Sequence, residues 1–242
     1  MSWEKFFWGR YGGEAYRTFN RLRLPFNFVQ VMRDFMSLIL FAHIAASYLI
    51  LGGYNLLYFT FWGLHMTYIS LQLNSAAAQD QKDHPAVVQG PLRLRWRMAV
   101  IVFQITLVTE IIVTLFFFGL LWETPEEMTT IHLFAISIHV TPLVFLLFDF
   151  FVQKWVFRPS HIWFTVATVA IYLVLNFIFV MATGLLIYPV LKWNDLVSVV
   201  IVVYSFLIPA VIHELLMMIS KINLKKLSEI PLTHTNKLNL TG

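Results

Sequence analysis

Six long apolar runs govern what this chain can become. They occupy residues 35–51, 56–73, 98–121, 131–151, 162–188 and 196–219. A helix that crosses a bilayer takes about 20 mostly apolar residues, so each run approaches or exceeds a spanning length. The rest of the composition agrees. The 242 residues are 59% hydrophobic and only 12% charged, about half the charge of an average globular chain. The other spanning solution, a β-barrel, needs alternating segments of about ten residues. Here the stretch Ile111-Ile112-Val113-Thr114-Leu115-Phe116-Phe117-Phe118 is continuous. The expected fold is therefore all-α, a polytopic membrane protein with six transmembrane helices.

The Lys and Arg positions orient it. Lys5, Arg10, Arg17, Arg21, Arg23 and Arg33 precede the first run, and Lys82, Arg93, Arg95 and Arg97 separate the second from the third. Lys154 and Arg158 separate the fourth from the fifth, and Lys221, Lys225, Lys226 and Lys237 follow the sixth. Sixteen of the seventeen basic residues thus fall on one side, with Lys192 alone on the other. The positive-inside rule puts both termini on the cytoplasmic-equivalent side. Three regions follow: an aromatic and basic interfacial segment over 1–34, a six-helix transmembrane domain over 35–220, and a polar tail over 221–242. In the first, Trp3, Phe6, Phe7, Trp8, Tyr11, Tyr16 and Phe19 interleave with charges, the pattern of a segment lying in the membrane interface. The net charge of +4 is explained by helix-end residues meeting anionic lipid, and calls for no nucleic-acid partner. With no cysteine, disulfides, thiolate metal sites and a cysteine nucleophile are excluded.

Ionisable groups inside spans are expensive and mark functional candidates. At ~1.5 Å of rise per residue, Thr60 lies about 6 Å from the outer surface, His43 and His139 about 12 Å, His65 about 14 Å, and Glu110 and Asn176 about 16 Å. Five different runs supply these six groups, as the walls of a polar cavity would. A second group near the inner surface comprises Asp149, Arg158, His213 and Glu214, and reads more readily as a salt-bridged collar than as chemistry. Each outer residue also has an ordinary structural reading: a threonine bonds its own i−4 carbonyl, and a lone histidine bonds a neighbouring helix. His139 stands out because Pro142, three residues on, opens the helix backbone beside it.

Three chemistries fit such a cavity. Two histidines on neighbouring helices can ligate haem, but no helix repeats the paired pattern. Glu110 can carry a proton in a transporter, but the chain has no internal repeat and no Gly/Pro-broken helix pair of the kind such sites favour. A hydroxyl with a neighbouring general base can act as a nucleophile, and Thr60 with His139 has compatible depth. No metal or other cofactor is expected, since no His-Glu-x-x-His motif and no intramembrane lysine occur.

Several motifs, in order and spacing, resemble the androgen-induced-gene family of six-pass membrane proteins and the related rolling stone family. They are Gly52-Gly53 followed by Leu57-Tyr58-Phe59-Thr60-Phe61; Arg95-Trp96-Arg97-Met98-Ala99-Val100; His139-Val140-Thr141-Pro142-Leu143 with Asp149 beyond; Thr183-Gly184-Leu185-Leu186-Ile187-Tyr188-Pro189; and Glu214 late in the last run. The stretches Phe157-Arg158-Pro159-Ser160-His161 and Tyr188-Pro189-Val190-Leu191-Lys192-Trp193-Asn194-Asp195 are closer to rolling stone. The androgen-induced branch implies an intramembrane threonine hydrolase that cleaves fatty acid esters of hydroxy fatty acids, with Thr60 and His139 at the matching positions. Rolling stone-like members imply a role in membrane events without established catalysis. Two readings follow. One is a lipid-ester hydrolase with Thr60 as nucleophile, His139 as base, Asn176 or His65 as oxyanion donor, and Glu110 orienting a histidine. The other is a non-catalytic scaffold, lipid-binding protein or accessory subunit of a larger membrane complex. Membrane lipids are partners in either case.

Overall fold

The computed structural model describes residue 8 and residues 24–83, 94–123, 125–153 and 155–228. Most of the expected interfacial segment and the tail beyond 228 lie outside the described residues. Among those described there is no strand, and six long helices make up the fold: α1 (Phe26–Leu51), α2 (Phe59–Asp83), α3 (Leu94–Phe116), α4 (Thr130–Val152), α5 (Ile162–Thr183) and α6 (Leu196–Ser228). Five of them are long and apolar enough to cross a membrane, the architecture of a multi-pass membrane protein.

The exception is α2, and its sequence explains why. Thr60, Gly63, Thr67, Ser70 and Asn74 recur every three or four residues and so share one helical face. Thr67, Ser70 and Asn74 are fully buried, so this polar face points into the bundle. Its outer face carries exposed Ile69.

Helix α3 is the hub. It packs against α2, α4, α5 and α6, and every residue from 103 to 110 is buried. Two-thirds (67%) of its most apolar stretch is buried, against 17% for α6. A helix surrounded on all sides keeps its polar groups inside the protein, and Gln104, Thr106, Thr109 and Glu110 of α3 are all buried. The peripheral helices instead expose large apolar side chains, such as Leu49, Ile131, Leu196 and Val211.

Element limits depart from the apolar runs in three informative places. Helix α1 begins at Phe26 rather than near residue 35, because Arg33, read as an interfacial charge, is buried in an ion pair. Helix α2 continues to Asp83, ten residues past its run; on this extension Asn74 donates to Asp149 at 2.7 Å and Ser75 to Gln30 at 3.0 Å. Helix α5 stops at Thr183 instead of continuing to 188. There Gly184 adopts φ 70° and its N–H bonds the Val180 carbonyl at 2.8 Å, a left-handed cap that a Cβ would strain. Residues 184–195 then fold back as a strap before α6. Beyond α3, residues Phe117–Leu121 form a π-helical turn, a local widening often found at functional sites.

Trp8, from the expected interfacial segment, is buried against the rest of the protein. Its ring meets His161 edge-on at 5.2 Å and lies under the Arg97 guanidinium at 5.4 Å.

Candidate active site

The turn Gly52–Leu57, the π-helical turn and the 184–195 strap gather at one end of the bundle. Helix α2 starts at this end, so Thr60 sits in its first turn. Helix α4 also starts here, with Thr129 and His132 capping each other's backbone amides. His139 follows about two and a half turns further along.

Thr60 Oγ1 and His139 Nε2 are 3.1 Å apart. The other ring nitrogen, Nδ1, lies 2.7 Å from the Ala135 carbonyl. A carbonyl only accepts, so Nδ1 carries the proton and Nε2 of the neutral ring must accept from the threonine hydroxyl. That is the tautomer a general base requires. Phe117, from the π-helical turn, stacks on the imidazole at 3.7 Å and 10°. The residue after the next turn, Pro142, has no N–H to give Ile138, and the adjacent His139 carbonyl accepts the Thr114 hydroxyl at 2.6 Å. Ring orientation, tautomer and backbone are thus all held.

Thr60 and His139 face a cavity of about 90 Å³ between α2, α3, α4, α5, the strap and α6. Its walls are mainly Ile112, Val113, Phe116, Phe117, Val169, Leu173, Leu191 and Ile201, with exposed Leu120 on its lining. Tyr172, Tyr188 and Ser205 are the other polar groups on its walls. No lysine, arginine, aspartate or glutamate lines it.

The remaining outer-band residues are not in this cavity. His43 lies between α1 and α4, its Nδ1 on the Ile39 carbonyl (2.8 Å) and its Nε2 accepting from Ser137 (2.6 Å). His65 bonds the Phe61 carbonyl at 2.6 Å and is 3.4 Å from the Tyr48 hydroxyl. Neither is within the cavity lining. Glu110 is fully buried and turned toward α2, where Thr67 donates to Oε1 at 3.2 Å and Gly63 leaves room for the carboxylate. Its second oxygen has no hydrogen-bond partner. Asn176 gives its Nδ2 to the Tyr172 hydroxyl at 3.3 Å and accepts from Trp193 Nε1 at 2.9 Å. It therefore braces the strap instead of facing a ligand.

Sequence reasoning missed the two tyrosines. Tyr172 donates to the Leu57 carbonyl at 2.9 Å, and Tyr188 accepts from the Phe59 backbone N–H at 3.0 Å. A census of ionisable groups passes over tyrosine, which is neutral at pH 7. The available signal was Tyr172 lying four residues before Asn176, on the same face of α5.

At the opposite end, the second group of polar residues divides. Asp149 forms an ion pair with Arg33 Nη2 at 2.8 Å and accepts from Arg33 Nε (2.9 Å), Asn74 Nδ2 (2.7 Å) and Gln153 Nε2 (2.9 Å). His213 is fully buried against Phe157, and neither ring nitrogen has a hydrogen-bond partner. Glu214, its neighbour in sequence, is exposed, and Arg158 is half-buried on the segment before α5. Among the residues described, no three His, Cys, Asp or Glu side chains come together in a way that could hold a metal ion.

The fold and its site define a class, a multi-pass helical membrane protein with a buried hydroxyl–imidazole pair in an apolar cavity. No protein-family model, curated protein or solved structure matches the chain.

Proposed function

We propose that the chain is a six-span membrane hydrolase of lipid esters, with Thr60 as nucleophile and His139 as general base. The observation that carries this reading is the 3.1 Å contact between the Thr60 hydroxyl and an imidazole whose tautomer is fixed to accept its proton. A hydroxyl beside an oriented base is the arrangement that nucleophilic catalysis uses. The walls favour an apolar acyl chain, because no charged side chain lines the cavity. Substrates of the kind implied by the family resemblance, fatty acid esters of hydroxy fatty acids, suit these walls. All six helices span the bilayer in this account. The basic-residue distribution then puts both termini on the cytoplasmic-equivalent side and the cavity in the outer half.

The reaction proceeds in two stages. Thr60 Oγ1 attacks the ester carbonyl carbon as its proton moves to His139 Nε2. The carbonyl electron pair shifts to oxygen and returns as the ester C–O bond breaks, and the departing alkoxide takes the proton from His139. Water then attacks the acyl-threonine, giving its proton to His139. The released acid leaves, and the proton returns to Thr60.

The test is hydrolysis of such an ester by the purified protein in detergent. Removing a positioned general base costs about 10²–10⁴ in rate, so His139→Ala should lose activity on that scale and Thr60→Ala should lose it entirely. Unchanged hydrolysis in both variants would return the chain to the non-catalytic reading.

A further inference from the structure

The reaction above develops a negative charge on the carbonyl oxygen, and each polar group on the cavity wall can be asked whether it has a proton to offer. Thr60 directs its proton to His139. Ser205 directs its own to the Ile201 carbonyl at 2.8 Å, and Tyr172 to the Leu57 carbonyl at 2.9 Å. Asn176, the sequence candidate for this task, has its amide on Tyr172, and His65 lies outside the cavity. What remains is the hydroxyl of Tyr188, whose side-chain hydrogen-bond neighbours are the hydroxyls of Tyr172 and Thr60 and no carbonyl.

Its placement is specific. Tyr188 stands on the strap, and its ring meets Tyr58 edge-on at 5.8 Å. The hydroxyl oxygen accepts the Phe59 N–H at 3.0 Å, and the Tyr172 hydroxyl and the backbone and side chain of Thr60 are also hydrogen-bond neighbours. Phe59 is the first residue of α2. Its N–H is one of the donors that a helix start leaves unpaired, and it carries the positive end of the helix dipole. Donation into the phenol oxygen makes the O–H a stronger donor, since hydrogen bonds in a chain polarise one another. The proton therefore sits beside the nucleophile, on an oxygen braced by the nucleophile's own helix.

We propose that Tyr188 is a catalytic residue, donating its hydroxyl proton as a hydrogen bond to the ester carbonyl oxygen while Thr60 attacks. This rests on the hydrolase reading above. The hydrogen bond strengthens as charge develops on the oxygen, and no proton is transferred. The strap is then part of the active site, since Ser198 on α6 accepts from the Lys192 and Trp193 amides at 2.9 Å each and fixes the strap's far end.

The experiment measures 4-nitrophenyl decanoate hydrolysis by full-length wild type, Thr60→Ala and Tyr188→Phe in detergent, with a melting curve for each. Loss of one oxyanion donor costs about 10²–10³ in kcat. Tyr188→Phe should show that loss with KM within about threefold of wild type and a melting temperature lower by only about 1–6 °C, the effect of the Phe59 N–H losing its acceptor. If Thr60→Ala is inactive but Tyr188→Phe retains wild-type or higher kcat, Tyr188 is no donor, and the hydrolase reading stands without it. If Thr60→Ala keeps full activity, both fall. A rise in KM at unchanged kcat assigns Tyr188 to strap packing and also overturns the proposal. Should Tyr188→Phe melt below that range, 3-fluorotyrosine at 188 keeps ring and hydroxyl but makes the proton more acidic. The alkaline limb of kcat then moves to lower pH if Tyr188 is the donor, and stays in place if it is not.

Discussion

Replacing Asp149 by alanine should cost this protein more than any other single change at the inner end of the bundle. Its carboxylate takes hydrogen bonds from Arg33, Asn74 and Gln153 over 2.7–2.9 Å, and Arg33 and Asp149 are 1% and 0% exposed. Alanine leaves the guanidinium buried without a counter-charge. Breaking a buried pair on one side costs about 3–5 kcal/mol, whereas replacing both members by apolar residues is often neutral. For a chain of this size 1 kcal/mol moves the melting temperature by about 2–4 °C, so the expected fall is ~6–20 °C. The assay is thermal unfolding in detergent followed by far-UV circular dichroism. Arg33→Met combined with Asp149→Leu should recover part of the loss, the remainder being the acceptor that Asn74 and Gln153 still lack. An Asp149→Ala protein melting within about 2 °C of wild type, or a double variant no better than the single, would refute the reasoning.

Two further changes probe other parts of the fold. A Cβ at Gly63 would collide with the Glu110 carboxylate, so Gly63→Ala should destabilise by about 1–3 kcal/mol. Adding Glu110→Ala should remove part of that penalty, which a double-mutant cycle on melting temperatures reads directly. Asp195 immediately precedes α6 and accepts from the Ser198 N–H and hydroxyl at 2.8 and 2.7 Å. These bonds, ahead of the weaker pull of Lys192, hold its carboxyl below the usual aspartate range. A carboxyl lowered by folding stabilises above its unfolded pKa, and that contribution is lost as pH falls through its folded pKa. The melting-temperature gap between wild type and Asp195→Ala should therefore be full at neutral pH and narrow in acid below the ordinary aspartate range. A gap constant with pH would show that the charged cap contributes nothing.

The bundle was legible in the sequence because run length selects long apolar helices: each of the six runs falls largely within a helix, and five of those helices are long and apolar enough to cross a membrane. What the runs could not give was the use made of polar residues. Arg33 read as a surface charge, because nothing in a linear census reveals Asp149 opposite it. The polar face of α2 was visible as spacing, but only its partners show that it points inward. The site divides in the same way. Depth along each helix is computable from sequence, and it put Thr60 and His139 in one outer band. Depth says nothing of rotation about the helix axis, so His43, His65, Glu110 and Asn176 shared the band while facing other partners. Tyr188 was hidden for another reason. The run to 188 read as helix, and only the left-handed Gly184 turns the chain back so that this hydroxyl meets α2.

The most direct test of the central claim is to map the adduct left by a lipophilic fluorophosphonate on the purified protein. A serine- and threonine-directed reagent of this kind reports the activated hydroxyl itself, whatever the natural ester is. Mass spectrometry should find the phosphonyl group on Thr60, and His139→Ala should suppress it. No adduct on folded wild-type protein, or an adduct on another hydroxyl that persists in Thr60→Ala, would contradict the assignment.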